Sequence, residues 1–226
     1  TFTEIALRKI IGNQQTIDVP CIDVLTALGS VRDGSADFAV VAIENTVEGG
    51  VPAALDTLAD GSPLVILGEV VIPVEFELVA RAGTTLSDIP RISCHSHGWA
   101  QCRRWAHQEL PGASFVPSQS NAAASVRLAD SSLSAAQVGF EAALAPPGSG
   151  ERFGLEVLAE HVADNPHAAT RFVRVGRPTA VPAPTGADKT TLVVHLPSDR
   201  SGSLLAMLEQ FATRGINLSL LASRPI

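Results

Sequence analysis

Thr170 and Arg171 stand side by side where the irregular segment Asp164-Asn165-Pro166-His167-Ala168-Ala169 enters the short apolar run Phe172-Val173-Arg174-Val175-Gly176. Such a junction points side chains into a cleft, where a hydroxyl can donate a hydrogen bond and a guanidinium can fork onto a carboxylate. A second constellation lies upstream, where Glu44-Asn45-Thr46 follows the apolar run Phe38-Ala39-Val40-Val41-Ala42-Ile43 and Gly49-Gly50 precedes a helix-like pattern. The end of a parallel strand meeting a helix N-terminus offers free N–H groups and a close backbone approach, which suit a carboxylate or phosphate. A Gly-Gly before a helix is, by itself, also an ordinary turn. A third cluster, Cys94-His95-Ser96-His97 followed by Gln101-Cys102, sets thiols, imidazoles and an amide close together. Adjacent ligands without a second paired motif lack the spacing of a zinc site, so no metal is expected. No Gly-x-Ser-x-Gly elbow or Cys–His signature supports a hydrolase.

The elements that must position these groups belong to a chain of 226 residues with 46% hydrophobic content, enough to bury a sizeable core. Lys and Arg number 16 against 23 Asp and Glu, a net charge of −7, and only 4% of residues are aromatic. That balance argues against a nucleic-acid surface, and an anionic ligand would need a local basic site. The basic pair Arg103-Arg104 reads as a solvated helix face. Cys21, Cys94 and Cys102 form no CxxC pair, which fits free thiols and a cytoplasmic location. No apolar run approaches the roughly 18 residues of a membrane span. The sequence reads as a piece of a longer chain, since a helical pattern begins at once and Ile226 follows Pro225 with no closing element.

Taken in order, Thr3 is expected to cap a helix carrying Ile5, Leu7, Ile10 and Ile11. A second helix carries Ile22, Leu25, Leu28 and Val31 and stops at Gly34. The run 38–43 reads as a strand buried on both faces, and Val51, Leu55, Leu58 and Ala59 mark the next helix. Residues 64–72 form a long strand; Pro73 breaks it, and Val74, Phe76, Leu78 and Ala80 alternate with Glu75 and Glu77 across a passage between two lobes. In the second lobe Trp99, Cys102, Ala106 and Leu110 share a helix face that leaves Gln101 on another, Ser120-Asn121 caps an alanine-rich helix, and residues 137–140 read as a strand. Residues 153–158 are expected to return to the first lobe. Residues 177–188 are a Pro/Gly-rich linker. Beyond it, a strand at 191–196, a helix with Leu204, Leu205, Leu208, Phe211 and Ala212, and a strand with Ile216, Leu218 and Leu220 form half of a ferredoxin-like unit.

Glu44-Asn45-Thr46 with Gly49-Gly50, joined to Thr170-Arg171-Phe172, resembles the prephenate dehydratase family. The second unit resembles an ACT regulatory domain: Ser201-Gly202-Ser203-Leu204 stands where that domain usually reads Pro-Gly-Ala-Leu, Ile216-Asn217-Leu218 matches, and Ala222-Ser223-Arg224-Pro225 departs from Glu-Ser-Arg-Pro at its first residue. The resemblance implies a two-lobed, periplasmic-binding-protein-like α/β catalytic domain at 1–176, with lobe one at 1–73 and 153–176 and lobe two at 74–152. It further implies a linker at 177–188 and the first half of a ferredoxin-like ACT domain at 189–226.

The activity implied is loss of water and carbon dioxide from prephenate, in phenylalanine biosynthesis, without metal or organic cofactor. Arogenate dehydratase shares these motifs, and a non-catalytic two-lobed sensor of aromatic metabolites shares the fold. By the resemblance Thr170 assists the leaving hydroxyl, Arg171 holds a carboxylate and Phe172 walls the ring. Asn45, Thr46 and Gln101 are uncharged donors for the remaining oxygens, and Ser120 joins the substrate-binding set. Glu44 is either catalytic or the anchor of its loop. Cys94 replaces a serine usual in the family, and a thiol is the weaker donor. Phenylalanine is the implied effector, bound between Gly202, Ser203 and Leu204 of one chain and Asn217 and Leu218 of another, in a homodimer or homotetramer.

Overall fold

The computed structural model describes residues 1–47, 49–178, 183–196 and 200–223. Two compact units divide the chain, Thr1–Ala183 and Pro184–Ile226.

In the first unit, one sheet has the order β2-β1-β9-β3, built from β1 (Phe38–Asn45), β2 (Gly49–Gly50), β3 (Val65–Pro73) and, from much later in the chain, β9 (Ala169–Gly176). Helix α1 (Phe2–Ile11) covers one face, with Ala6 meeting Ile72 and Phe172. Helices α2 (Val24–Asp33) and α3 (Pro52–Ala59) cover the other, where Leu28, Val31, Val41, Ile43, Val173 and Val175 form the core. Thr1, not Thr3, caps α1: its Oγ1 accepts from the Glu4 N–H at 3.1 Å. Burying Phe2, Ile5 and Ala6 puts Thr3 inside the first turn, too late to cap it. Gly34 ends α2 with φ 85°, the left-handed stop its glycine permits. The strand at 38–45 is covered on both faces as expected, but its pairings with β9 and β2 are antiparallel. β9 enters from the opposite end, so the expected parallel strand end is corrected.

The second sheet has the order β6-β5-β7-β4-β8. Its strands are β4 (Glu77–Ala80), β5 (Arg91–Cys94), β6 (Ser114–Pro117), β7 (Ala142–Ala145) and β8 (Glu156–Ala159). β5 runs parallel to β6 and β7, while β4 is antiparallel to β7 and β8. Helix α4 (Ser96–Glu109) packs Cys102 and Ala106 against Ile92 and Cys94 on one face. Helix α5 (Asn121–Ala129) packs Ala124 and Leu128 against Val79 and Ala143 on the other. Three expectations are corrected here. Residues 137–140 are no strand: α6 (Ala135–Val138) ends at Gly139, φ 86°, and the strand begins at Ala142. β4 does not alternate, because neighbours on both edges and helices on both faces bury Glu77, Leu78, Val79 and Ala80 alike. Helix α7 (Ser149–Phe153) is followed by β8, which pairs Val157 with Val79 and covers β4 instead of returning to the first lobe.

The return lies later. Val162 N–H donates to Phe76 O at 3.0 Å and Val74 N–H to Ala168 O at 2.8 Å, so the outgoing and returning passages are bonded to each other. Phe2 meets Phe76 edge-on, centroids 5.4 Å apart, and Arg152 pairs with Glu4 at 2.9 Å, tying α1 to the second lobe. The two-lobed α/β architecture is thus the one expected.

In the second unit, α8 (Ser203–Ala212) starts after Gly202, φ 88°. The expected strands at 191–196 and 216–220 do not form, and Leu192, Val193, Leu218 and Leu220 are exposed. In the expected split βαβ the two strands lie apart with another strand between them, and among the described residues of this unit neither run has a strand to bond. Arg224 and Pro225 of the expected motif, and residues 179–182 of the expected linker, lie outside the described residues.

Candidate functional site

The antiparallel register of β1 and β9 sets Asn45 opposite Thr170. Asn45 Oδ1 accepts from the Val47 N–H at 2.8 Å, which orients the amide so that Nδ2 donates to Thr170 Oγ1, also at 2.8 Å. Oγ1 thus accepts from Asn45, and the hydroxyl proton of Thr170 is left free to serve as a donor. Thr170 is 7% exposed, so this hydroxyl acts where water is sparse and a hydrogen bond is worth more. Thr46 clamps the adjoining loop, its Oγ1 accepting from Ala169 N–H and its own N–H donating to Ala169 O, both at 2.9 Å.

Strand alternation turns Arg171 to the other face of the sheet from Thr170. Its Nε donates to Glu69 Oε2 at 2.6 Å, Nη2 pairs with the same carboxylate, and Nη1 stands 3.7 Å from Glu44 Oε2. The expected anion clamp is therefore engaged within the protein, by two carboxylates whose summed charge exceeds its own. Glu44 faces Arg171, the geometry that the anchoring alternative expects. Phe172 does not wall a cleft; it is 2% exposed and packs with Ile72 and Ala6. Alternation again is the cause, since the side of β9 that carries Phe172 is covered by α1.

In the second lobe Cys94 is wholly buried in the core, and burial pushes its thiol up to about 12. It is a small apolar core residue and no donor to a ligand. Burial likewise pushes the Cys102 thiol up. Among the described residues no three His, Cys, Asp or Glu side chains are grouped as metal ligands. Gln101, expected off the apolar face of α4, is 9% exposed; its Nε2 donates to His97 O at 3.3 Å, and among the described residues its buried Oε1 has no hydrogen-bond partner. Ser120 accepts from the Ala123 N–H at 3.0 Å and so caps α5.

Sequence reasoning missed two residues around these. Asn121 Oδ1 accepts from His95 N–H at 2.8 Å and binds the start of α5 to the start of α4. A Cβ on Gly98 would come within 2.8 Å of that same Oδ1, so the glycine in the first turn of α4 was the available signal. Glu69, the main partner of Arg171, left none beyond an acidic residue in a β-rich run.

A cavity of about 480 Å³ in the second unit is lined by Leu196, Arg200, Gly202, Ser203, Leu204, Leu205 and Leu208. It gathers three of the five expected effector residues; Asn217 and Leu218 do not line it. A cavity of about 450 Å³ between α1 and residues 146–152 holds none of the expected site residues.

A family model described as prephenate dehydratase matches residues 1–180. The prephenate dehydratase of Amycolatopsis methanolica is 43% identical over 227 residues, which cover 100% of this chain and 71% of that protein. A crystal structure of prephenate dehydratase from Arthrobacter aurescens in complex with L-Phe is 51% identical, with a TM-score of 0.92, covering 100% of this chain and 72% of that one. A structure described as a quorum-quenching acylase, GqqA, is 26% identical with a TM-score of 0.76, covering 100% of this chain and 78% of the other.

Proposed function

The chain belongs to the prephenate dehydratase family, hydro-lyases that turn prephenate into phenylpyruvate, water and carbon dioxide, and from that premise we propose that Thr170 delivers the hydrogen bond under which the ring hydroxyl departs. The electron pair of the breaking carbon–carboxylate bond moves into the ring as carbon dioxide forms, and the C–O bond opposite breaks as the ring becomes aromatic. Hydroxide leaves only if a donor meets the developing charge on its oxygen. A threonine is a poor acid, so its use is as an oriented donor in a site of low polarity. The observation that carries this reading is the bond from Asn45 Nδ2 to Thr170 Oγ1, in which the hydroxyl accepts, so its own proton remains available to a substrate oxygen.

The buried amide of Gln101 and the α5 start around Ser120 serve the remaining oxygens of the substrate, and Thr46 serves by holding the loop. Arg171 with Glu44 and Glu69 fixes the neighbouring strands. Phenylalanine is the effector, taken by the surface around Gly202, Ser203 and Leu204 of an ACT module; the relative with bound L-Phe supports this. Two such modules pair through the exposed apolar residues, in a cytoplasmic enzyme. The test is formation of phenylpyruvate from prephenate and of phenylalanine from arogenate, with carbon dioxide release followed for each substrate with and without added phenylalanine. Turnover of prephenate is expected, and turnover of arogenate alone would replace the substrate.

A further inference from the structure

The returning passage carries an aspartate whose bonds lie outside everything assigned so far. Asp164 N–H donates to Gln101 O at 2.7 Å, and its carboxylate accepts from two N–H groups inside α4, Arg104 at 2.9 Å and Trp105 at 2.8 Å. Arg104 Nη2 also reaches Asp164 O at 3.3 Å. Gln101 O and Trp105 N are the two ends of one i to i+4 pair of a helix. Asp164 bonds to both. A carboxylate inside a helical ladder is a device seen at caps and at kinks, where a side chain enters the ladder. Here it comes from the passage between lobes, six residues before Thr170 on the same short segment.

We infer that Asp164 is a positioning residue for Gln101, fixing that turn of α4 to the segment that leads into Thr170. The inference rests on the reading of Gln101 as a substrate-binding residue. Gln101 suits such control: its amide is buried, and among the described residues its Oε1 has no hydrogen-bond partner and its backbone carbonyl is held from beyond the helix by Asp164 alone. A shift of the turn therefore moves the amide relative to the Thr170 hydroxyl, and a misplacement on the order of 1 Å can cost about 100-fold in rate.

The experiment is a double-mutant cycle on the intact chain, with kcat and KM for prephenate measured for Asp164→Asn, Gln101→Ala and the pair, and folding followed by thermal melts. Asp164→Asn keeps the shape but turns an amide donor toward one of the two N–H groups. It is expected to lower kcat/KM about 10-fold to 100-fold, the scale of a hydrogen bond to a charged group, mostly through KM. In the Gln101→Ala background the same change is expected to cost less than about threefold, because the amide it positions is gone. An equal factor in both backgrounds would overturn the inference while leaving the role of Gln101 intact. A Gln101→Ala enzyme with unaltered kcat/KM would overturn both. Asp164→Glu, which keeps the charge and lengthens the arm, carries the same cycle if the asparagine variant does not fold.

Discussion

The two lobes hold their polar residues in different ways. In the first lobe the site is made by strand register: Asn45 and Thr170 are 125 positions apart and meet because β1 and β9 are neighbours. In the second it is made by helix starts: Ser120 and Asn121 open α5, His95 opens α4, and Gln101 lies one turn further on. Register fixes a side chain against its cross-strand partner, and neighbours on both sides prevent slippage. A helix start is fixed only by its caps and by what packs on its first turn. The first arrangement suits a group that must face a breaking bond, and the second suits groups that hold oxygens of a bound ligand.

The contrast can be broken at each lobe. Asn45→Ala removes the donor to a buried hydroxyl, and leaving that oxygen unpaired costs about 1–3 kcal/mol, so kcat is expected to fall about 10-fold to 100-fold. Steady-state kinetics measured well below the melting transition, where the variant is still fully folded, would localise the loss to the site; an unchanged kcat would detach Asn45 from the chemistry. In the second lobe Gly98→Ala drives a Cβ to 2.8 Å from Asn121 Oδ1 and 3.2 Å from Phe76. Overpacking of this kind costs about 1–3 kcal/mol against a helix gain of under about 1, and a raised KM is expected as the starts of α4 and α5 part. A melt and a KM both equal to the parent's would show that the two starts are not braced through Asn121.

The smallest effect on turnover is expected at Arg171. Arg171→Lys keeps the charge but loses the fork onto Glu69, so denaturant melts should show a loss of about 1 kcal/mol with KM changed less than threefold. A KM raised tenfold or more would return Arg171 to the substrate.

The same contrast explains what the sequence disclosed. Runs of apolar residues located β1, β3 and β9, and Gly34 marked the end of a helix, because these depend on neighbours within one element. Thr170, Asn45 and Gln101 were named by type and motif. Their partners were not: that Arg171 faces Glu69 and that Thr170 faces Asn45 are facts of register between distant strands. Phe172 was read as a ligand contact as part of the Thr-Arg-Phe motif and Cys94 because it stands at the family's serine position, yet alternation and the cover of α1 and α4 bury both. The runs at 191–196 and 216–220 carry strand-like patterns as clear as β1, and form no strand; among the described residues neither has a strand beside it to bond. Asp164 was read only as part of an irregular segment, and its place against α4 is a tertiary fact.

The central claim is that the Thr170 hydroxyl, oriented by Asn45, meets the departing oxygen. Single-turnover formation of phenylpyruvate by Thr170→Ser and Thr170→Val, with prephenate binding measured alongside, tests it most directly. The serine enzyme should keep turnover within about tenfold of the parent, while the valine enzyme, nearly the same shape without a donor, should lose about 10²–10⁴ in rate and bind prephenate as before. A valine enzyme within about threefold of the parent, or a serine enzyme as slow as valine, would contradict the account.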